Sequence, residues 1–243
     1  MSYTNCTFNA PFFLKRFAHQ KRLHDAFLLL DLKAGESMLD FGGGDGTFAE
    51  FVSRSSSIKV VVYEPSKEMT RQISDNYGVT PNFEVIMDVK KLYPIRFNRI
   101  SCLEVLEHLP EKELHEALDF LSIALESKGK LLISVPVEIG LSGFLKNLFR
   151  YLFSSKTEKI TIGRIFKSLF GISQKRDFSC ELDDSRNKYI GSHIGFDHRD
   201  FRKLLRKYFI IEKEYFSPWP IFGSIMNYFI YFVCAKDTSK APK

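Results

Sequence analysis

Short apolar runs and helical stripes alternate along the first half of this 243-residue chain. Met38-Leu39-Asp40-Phe41 is the first run, and the amphipathic segment Phe48 to Val52 follows it. Lys59 to Tyr63 (K-V-V-V-Y) is continuously apolar and β-branched, the pattern of a parallel strand buried on both faces. Phe83 to Met87 predicts a third strand, Arg99 to Leu103 a fourth and Lys130 to Val135 a fifth. Between the last two, Glu111 to Glu126 carries Leu114, Leu118, Leu121 and Leu125 at helical spacing, with Lys128-Gly129 predicting its end. Strands and helices alternating at these lengths imply a doubly wound parallel α/β sheet. Toward the C-terminus, Tyr215 to Ala235 has no formal charge over 21 positions, about the length of a spanning helix. Pro218, Pro220, Gly223, Ser224 and Asn227 interrupt it, so Ile210 to Phe216 and Tyr228 to Cys234 are read as two strands joined by an apolar loop with the lone Trp219.

The junction after the first run carries the chemistry. Asp40-x-Gly42-x-Gly44-x-Gly46 is a glycine-dense turn at the end of a strand and the start of a helix. There the backbone can adopt φ > 0, and a ligand can lie against main-chain N–H groups. A dinucleotide fingerprint would need Gly or Ala at position 47, which is Thr47. The spacing resembles instead motif I of the class I S-adenosylmethionine (SAM)-dependent methyltransferases, of the small-molecule "type 11"-like kind. SAM has no phosphate, but it has an ammonium, a carboxylate and a sulfonium, which suits an acidic loop. A turn with no ligand is the plain alternative.

Later strand ends extend the resemblance. Glu64, 24 positions after Asp40, ends the second strand where a carboxylate accepts from ribose hydroxyls, and with Pro65 it matches the family's ribose-binding site. Asp88 and Val89, after the third strand, match the family's adenine-binding pair. Leu103 and Glu104 open the stretch Glu104-Val105-Leu106-Glu107-His108-Leu109, which is similar to one in many small-molecule methyltransferases. Singly, Glu64 reads as a solvated strand end and Asp88 as a turn residue; together they fall in the expected order. The resemblance implies a Rossmann-like, seven-stranded, mostly parallel sheet with an antiparallel last strand. It assigns the cofactor SAM to Asp40, Gly42, Gly43, Gly44, Gly46, Glu64, Pro65, Asp88, Val89, Leu103 and Glu104.

Composition is ordinary for a globular protein, 44% hydrophobic and 26% charged. Cys6, Cys102, Cys180 and Cys234 show no C-x-x-C spacing, so neither a disulfide framework nor a zinc site is expected, and no metal. The first residues lack a basic segment followed by an apolar core, so a cytoplasmic protein is expected. Charge is concentrated in one place. Leu141 to Arg176 holds eight Lys or Arg against the single acid Glu158, while the whole chain is only +6. Leu141, Phe144, Leu145, Leu148, Phe149, Leu152 and Phe153 form one helical stripe there, and Ile162, Ile165, Phe166, Leu169 and Phe170 a second. Two basic, Phe-rich helices predict a lid over the strand ends; peripheral contact with an anionic membrane through 141–170 is the alternative. Nucleic acid is disfavoured, because no recognised RNA-binding module is present. The expected organisation is one methyltransferase domain: a helical segment 1–33, a SAM-binding core 34–139, the lid 140–192, and a helix with a strand hairpin 193–236.

The residues after the fourth strand lack the N-P-P-Y/F motif of the family's amino-methylating enzymes. That points to an O- or C-nucleophile on a small or lipid-linked acceptor. Candidate bases are His108 and His193, the latter in Ser192-His193-Ile194-Gly195-Phe196-Asp197, which resembles a stretch near the family's substrate mouth. For His108 a structural hydrogen bond is the competing reading. A SAM-binding protein without turnover, anchored by the basic insertion, is the alternative from another class.

Overall fold

The computed structural model describes residues 13–153, 162–172, 174, 176 and 180–239, apart from positions 57, 79, 81, 186 and 194. After helix α1 (Phe13–Leu30) come β1 (Ser37–Phe41), α2 (Thr47–Ser55), β2 (Lys59–Tyr63), α3 (Lys67–Tyr77) and β3 (Phe83–Ile86). Then follow β4 (Phe97–Leu103), α4 (Glu111–Ala124) and β5 (Leu125–Pro136). The insertion holds α5 (Gly140–Phe153), α6 (Ile162–Leu169) and the short strands β6 (Cys180–Leu182) and β7 (Lys188–Ile190). The chain closes with α7 (His198–Leu205), β8 (Phe209–Ser217) and β9 (Phe229–Lys236).

The sheet has seven strands in the order β3-β2-β1-β4-β5-β9-β8. β1 to β5 are parallel; β9 is antiparallel to both β5 and β8. This is the predicted doubly wound sheet, and the uncharged segment near the C-terminus is a β-hairpin. Among the described residues no helix is long and apolar enough to cross a membrane. Alternation along the strands divides the core in two. Leu39, Val61, Ile100 and Ile133 pack with Leu118 and Leu121 of α4 and Phe201 and Leu205 of α7. Met38, Val60, Val62 and Leu132 face the other way, against Ala26 and Leu30 of α1 and Phe48, Ala49 and Val52 of α2. Strand order reverses between β1 and β4, so a crevice opens beyond the C-terminal end of β1, where such sheets hold ligands.

Two boundaries differ from the sequence reading. α4 ends at Ala124, not near Gly129, and β5 already starts at Leu125. Gly129 lies inside β5, where the pairing with β4 shifts between Phe97 and Arg99. A Cβ there would stand 2.9 Å from the carbonyl oxygen of Asn98, so the glycine permits an irregular strand rather than capping a helix. The insertion, expected as helical, also contains the β6–β7 ribbon. α5 and α6 pack on each other through Ile165, Phe144 and Leu148. Ile162, Phe166 and Phe170 are left exposed beside them.

Candidate functional site

A cavity of about 310 Å³ opens beside the C-terminal end of β1. Its wall is built from the glycine turn (Asp40, Gly42, Gly43, Gly44, Asp45), the start of α2 (Thr47, Phe48), the end of β4 (Leu103, Glu104), and Arg22, Leu23 and Met69. The turn is held by main-chain bonds. The N–H groups of Gly42 and Gly43 both donate to the Tyr63 carbonyl (2.8 and 3.1 Å), and that of Gly46 donates to Gly43 O (3.0 Å). Gly42 has φ 77°, and a Cβ on it would come within 2.5 Å of Val105 Cγ2. Sterics and backbone conformation therefore both demand glycine at that position. Asp45 Oδ1 accepts from Thr47 N–H (3.2 Å) and Oγ1 (2.7 Å), which starts α2 at the turn.

Six of the predicted cofactor residues line the cavity: Asp40, Gly42, Gly43, Gly44, Leu103 and Glu104. Glu64 stands just behind the wall, with Oε2 accepting from Gly44 N–H and Oε1 from Ser66 N–H, both at 2.9 Å. It ties the glycine turn to the end of β2, next to Pro65, and burial raises its pKa. Gly46 lies at the head of α2 against Ile73 and Tyr77. Asp88 is exposed, its Oδ1 accepting from Lys90 N–H (3.0 Å) at the start of the 3-10 turn Val89–Leu92. Sequence reasoning missed Arg22, Leu23, Asp45, Thr47, Phe48 and Met69, and the first and last come from elements distant from the glycine turn.

Charge in the cavity is mixed. Asp40 is buried and accepts a 2.5 Å bond from Ser101 Oγ. Burial pushes its pKa to about 7, the Ser101 bond opposes the shift, and Glu64 adds to it. Glu104 is a non-glycine residue at φ 59°, a conformation that persists only where its surroundings impose it. Its Oε1 accepts from Ser134 Oγ (3.0 Å), and burial raises its pKa against the pull of Arg22. Arg22, buried on α1, has its guanidinium 5.1 Å from the Phe229 ring centre.

The Asp40 shift has a sign that can be read in solution. A carboxyl whose pKa is higher folded than unfolded stabilises the fold at low pH, and that contribution is lost as pH rises through the folded value. For Asp40 the window runs from about 4 to about 7. In thermal melts of the ligand-free protein, Asp40→Asn is expected to flatten the loss of stability across this window. Identical pH profiles for the two proteins would contradict the assignment.

The two candidate histidines meet. His108 Nδ1 lies 2.7 Å from the Ile190 carbonyl oxygen, which can only accept, so Nδ1 carries the proton and Nε2 the lone pair. His193 Nε2 is 3.0 Å from His108 Nε2, with the residues 85 positions apart in the chain. β7 brings them together, because it ends at Ile190, three positions before His193. Burial holds the His108 pKa below its usual value. Glu107, fully buried, completes the group.

This strand order, with a glycine turn at the switch point, is the Rossmann-like arrangement found in class I SAM-dependent methyltransferases. Residues 14–160 match the family model described as "Methyltransferase domain". The chain belongs to that family. No curated protein matches it. Among solved structures, the TehB-like SAM-dependent methyltransferase of Corynebacterium glutamicum is similar, with TM-score 0.55 and 16% identity over 97% of this chain and 94% of that one. So is the magnesium protoporphyrin IX methyltransferase of Synechocystis with bound S-adenosylhomocysteine (0.57, 16%, 93% and 88%). A third is the N-methyltransferase NodS of Bradyrhizobium japonicum, also with S-adenosylhomocysteine (0.55, 10%, 89% and 86%). At these identities the likeness is one of fold.

Proposed function

We propose that this chain transfers the methyl group of SAM to an oxygen or carbon nucleophile of a small or lipid-linked acceptor. The observation that carries the reading is the cavity wall, where the Arg22 guanidinium and the carboxyls of Asp40, Asp45 and Glu104 surround a glycine turn. Those groups match a ligand that carries both a carboxylate and an ammonium. When bound, SAM supplies an electrophilic methyl group on a sulfonium.

The residues divide the work. Arg22 suits the carboxylate of the methionine part, as a guanidinium pairs well with such a group. Asp40 and Glu104 suit the ammonium. Each Glu64 oxygen keeps a lone pair beyond its bond to main-chain N–H, so Glu64 can accept ribose hydroxyls once the cofactor reaches it. Leu23, Phe48, Met69 and Leu103 give the cavity apolar surface. The acceptor is assigned to the His108–His193 side, one turn along the chain from Glu104. There the imidazole pair can take the proton that a hydroxyl or enol releases. Positioning supplies much of the remaining rate, because methyl transfer needs donor and nucleophile in line.

Incubation of the purified chain with methyl-labelled SAM and a small-molecule and lipid extract is expected to move label into the organic fraction, with S-adenosylhomocysteine as co-product. His193→Ala is expected to reduce that transfer by about 100-fold or more while leaving SAM binding intact. Unimpaired transfer by His193→Ala would remove the residue from the reaction. Binding of SAM with no product from any fraction would favour the non-catalytic alternative.

A further inference from the structure

We propose that Glu107, His108 and His193 bind a divalent transition-metal ion, zinc being the best match to two imidazoles and one carboxylate. Each residue offers one ligand atom, and these atoms lie within 4.8 Å of one another. His108 Nε2 is 3.0 Å from His193 Nε2 and 3.9 Å from Glu107 Oε1. Ligand atoms about 2.0–2.2 Å from a tetrahedral ion stand ~3.4 Å apart, so small side-chain adjustments would close the site.

Two further observations point to a cation. The bond from His108 Nδ1–H to the Ile190 carbonyl fixes the tautomer and turns the Nε2 lone pair toward the cluster. A metal-bound histidine is commonly held in this way, its other ring nitrogen donating to a carbonyl or carboxylate. The second observation is Glu107. Its side chain has no exposure, and neither carboxylate oxygen has a hydrogen-bond partner among the described residues. A buried carboxylate left so is rare and costly, and a bound ion satisfies it. The guanidinium of Arg176 donates to the main-chain oxygen of Glu107, which holds this turn in place, and its charge also acts on the carboxyl.

Three protein ligands leave a coordination position open, as in zinc sites that act on substrates. Here the inference rests on the methyl-transfer reading and deepens it: the acceptor class becomes a hydroxyl or enol whose oxygen fills that position. An ion held there would lower the pKa of a hydroxyl bound to it, whose proton would pass to water. The oxygen–methyl bond then forms as the sulfur–methyl bond breaks, with the electron pair going to sulfur. With an ion in place, His108 and His193 would act as ligands, and this role would replace the proton acceptance assigned to them in its absence.

The test uses the tag-free full chain, stripped with a chelator and titrated with Zn²⁺ against a chromophoric competitor. Co²⁺ provides a second, absorbance readout. About one ion per chain is expected, and Glu107→Gln and His193→Ala should each weaken uptake by about tenfold or more. Glu107→Gln keeps the shape of the side chain, so its melting temperature should hold. No Zn²⁺ uptake by the wild-type chain, or equal uptake by His193→Ala, overturns the site. Binding of SAM is titrated separately without metal: its failure beside normal, His193-dependent Zn²⁺ uptake would remove the methyl-donor reading and support the metal site.

Discussion

Gly42→Ala is expected to remove most of the affinity for SAM and to destabilise the fold by about 2–4 kcal/mol. Two independent costs add. The left-handed φ of 77° is strained for any residue with a Cβ. The new methyl group would also lie 2.5 Å from Cγ2 of the half-buried Val105, an overlap that a rotation of one side chain only partly relieves. Relief of either cost moves the turn, and with it the N–H groups of Gly42 and Gly43 that are pinned to the Tyr63 carbonyl. The double variant Gly42→Ala/Val105→Ala separates the two. It removes the overlap and keeps the backbone strain, so it should recover part of the affinity but not all of it. Wild-type affinity in the single variant, measured by calorimetry, would show that the turn does not shape the ligand site.

Glu64→Ala is expected to weaken SAM binding by about 100-fold, consistent with hydrogen bonds to a charged group worth about 1.5–3 kcal/mol. Its carboxylate holds the N–H groups of Gly44 and Ser66 at once, so it sets the distance between the glycine turn and the end of β2. Alanine leaves both donors without that partner and removes the acceptor assigned to the ribose. Glu64→Gln keeps one oxygen acceptor and should fall between the two. Equal affinities of Glu64→Ala and wild type would place the ribose elsewhere.

The fold was readable because its strands are short, apolar and evenly spaced, and because Gly42 and Gly44 mark the one junction where β1 turns into α2. The antiparallel β9 was readable from residues that break a helix, Pro218 to Asn227, rather than from hydropathy. Gly129 misled: it looks like the end of α4, yet it serves an irregular pairing between β4 and β5 that no local pattern announces. The β6–β7 ribbon was hidden for a related reason, since each strand has three residues and a strongly mixed composition.

Within the candidate site, the glycine turn, the strand-end residues Leu103 and Glu104 and the two histidines were legible in the sequence, whereas the wall residues from α1 and α3 and the buried Glu107 were not. Asp40 to Gly44 are neighbours in sequence. Arg22 reaches the same cavity from α1, where it looks like any basic residue on a helix. Glu107 sits beside His108 but shows its meaning only through burial, and His193 joins them from 85 positions away. Spacing rules for metal sites rest on ligands close in sequence, so the absence of a C-x-x-C pattern carried no information about this cluster.

SAM is assigned here to the cavity at Asp40–Gly44. A calorimetric titration of the purified wild-type chain with SAM, with NAD as the comparison ligand, decides this. About one SAM site per chain is expected, abolished or much weakened by Gly42→Ala, with no comparable binding of NAD. Saturable binding of NAD in preference to SAM, or SAM binding indifferent to Gly42→Ala, would contradict it.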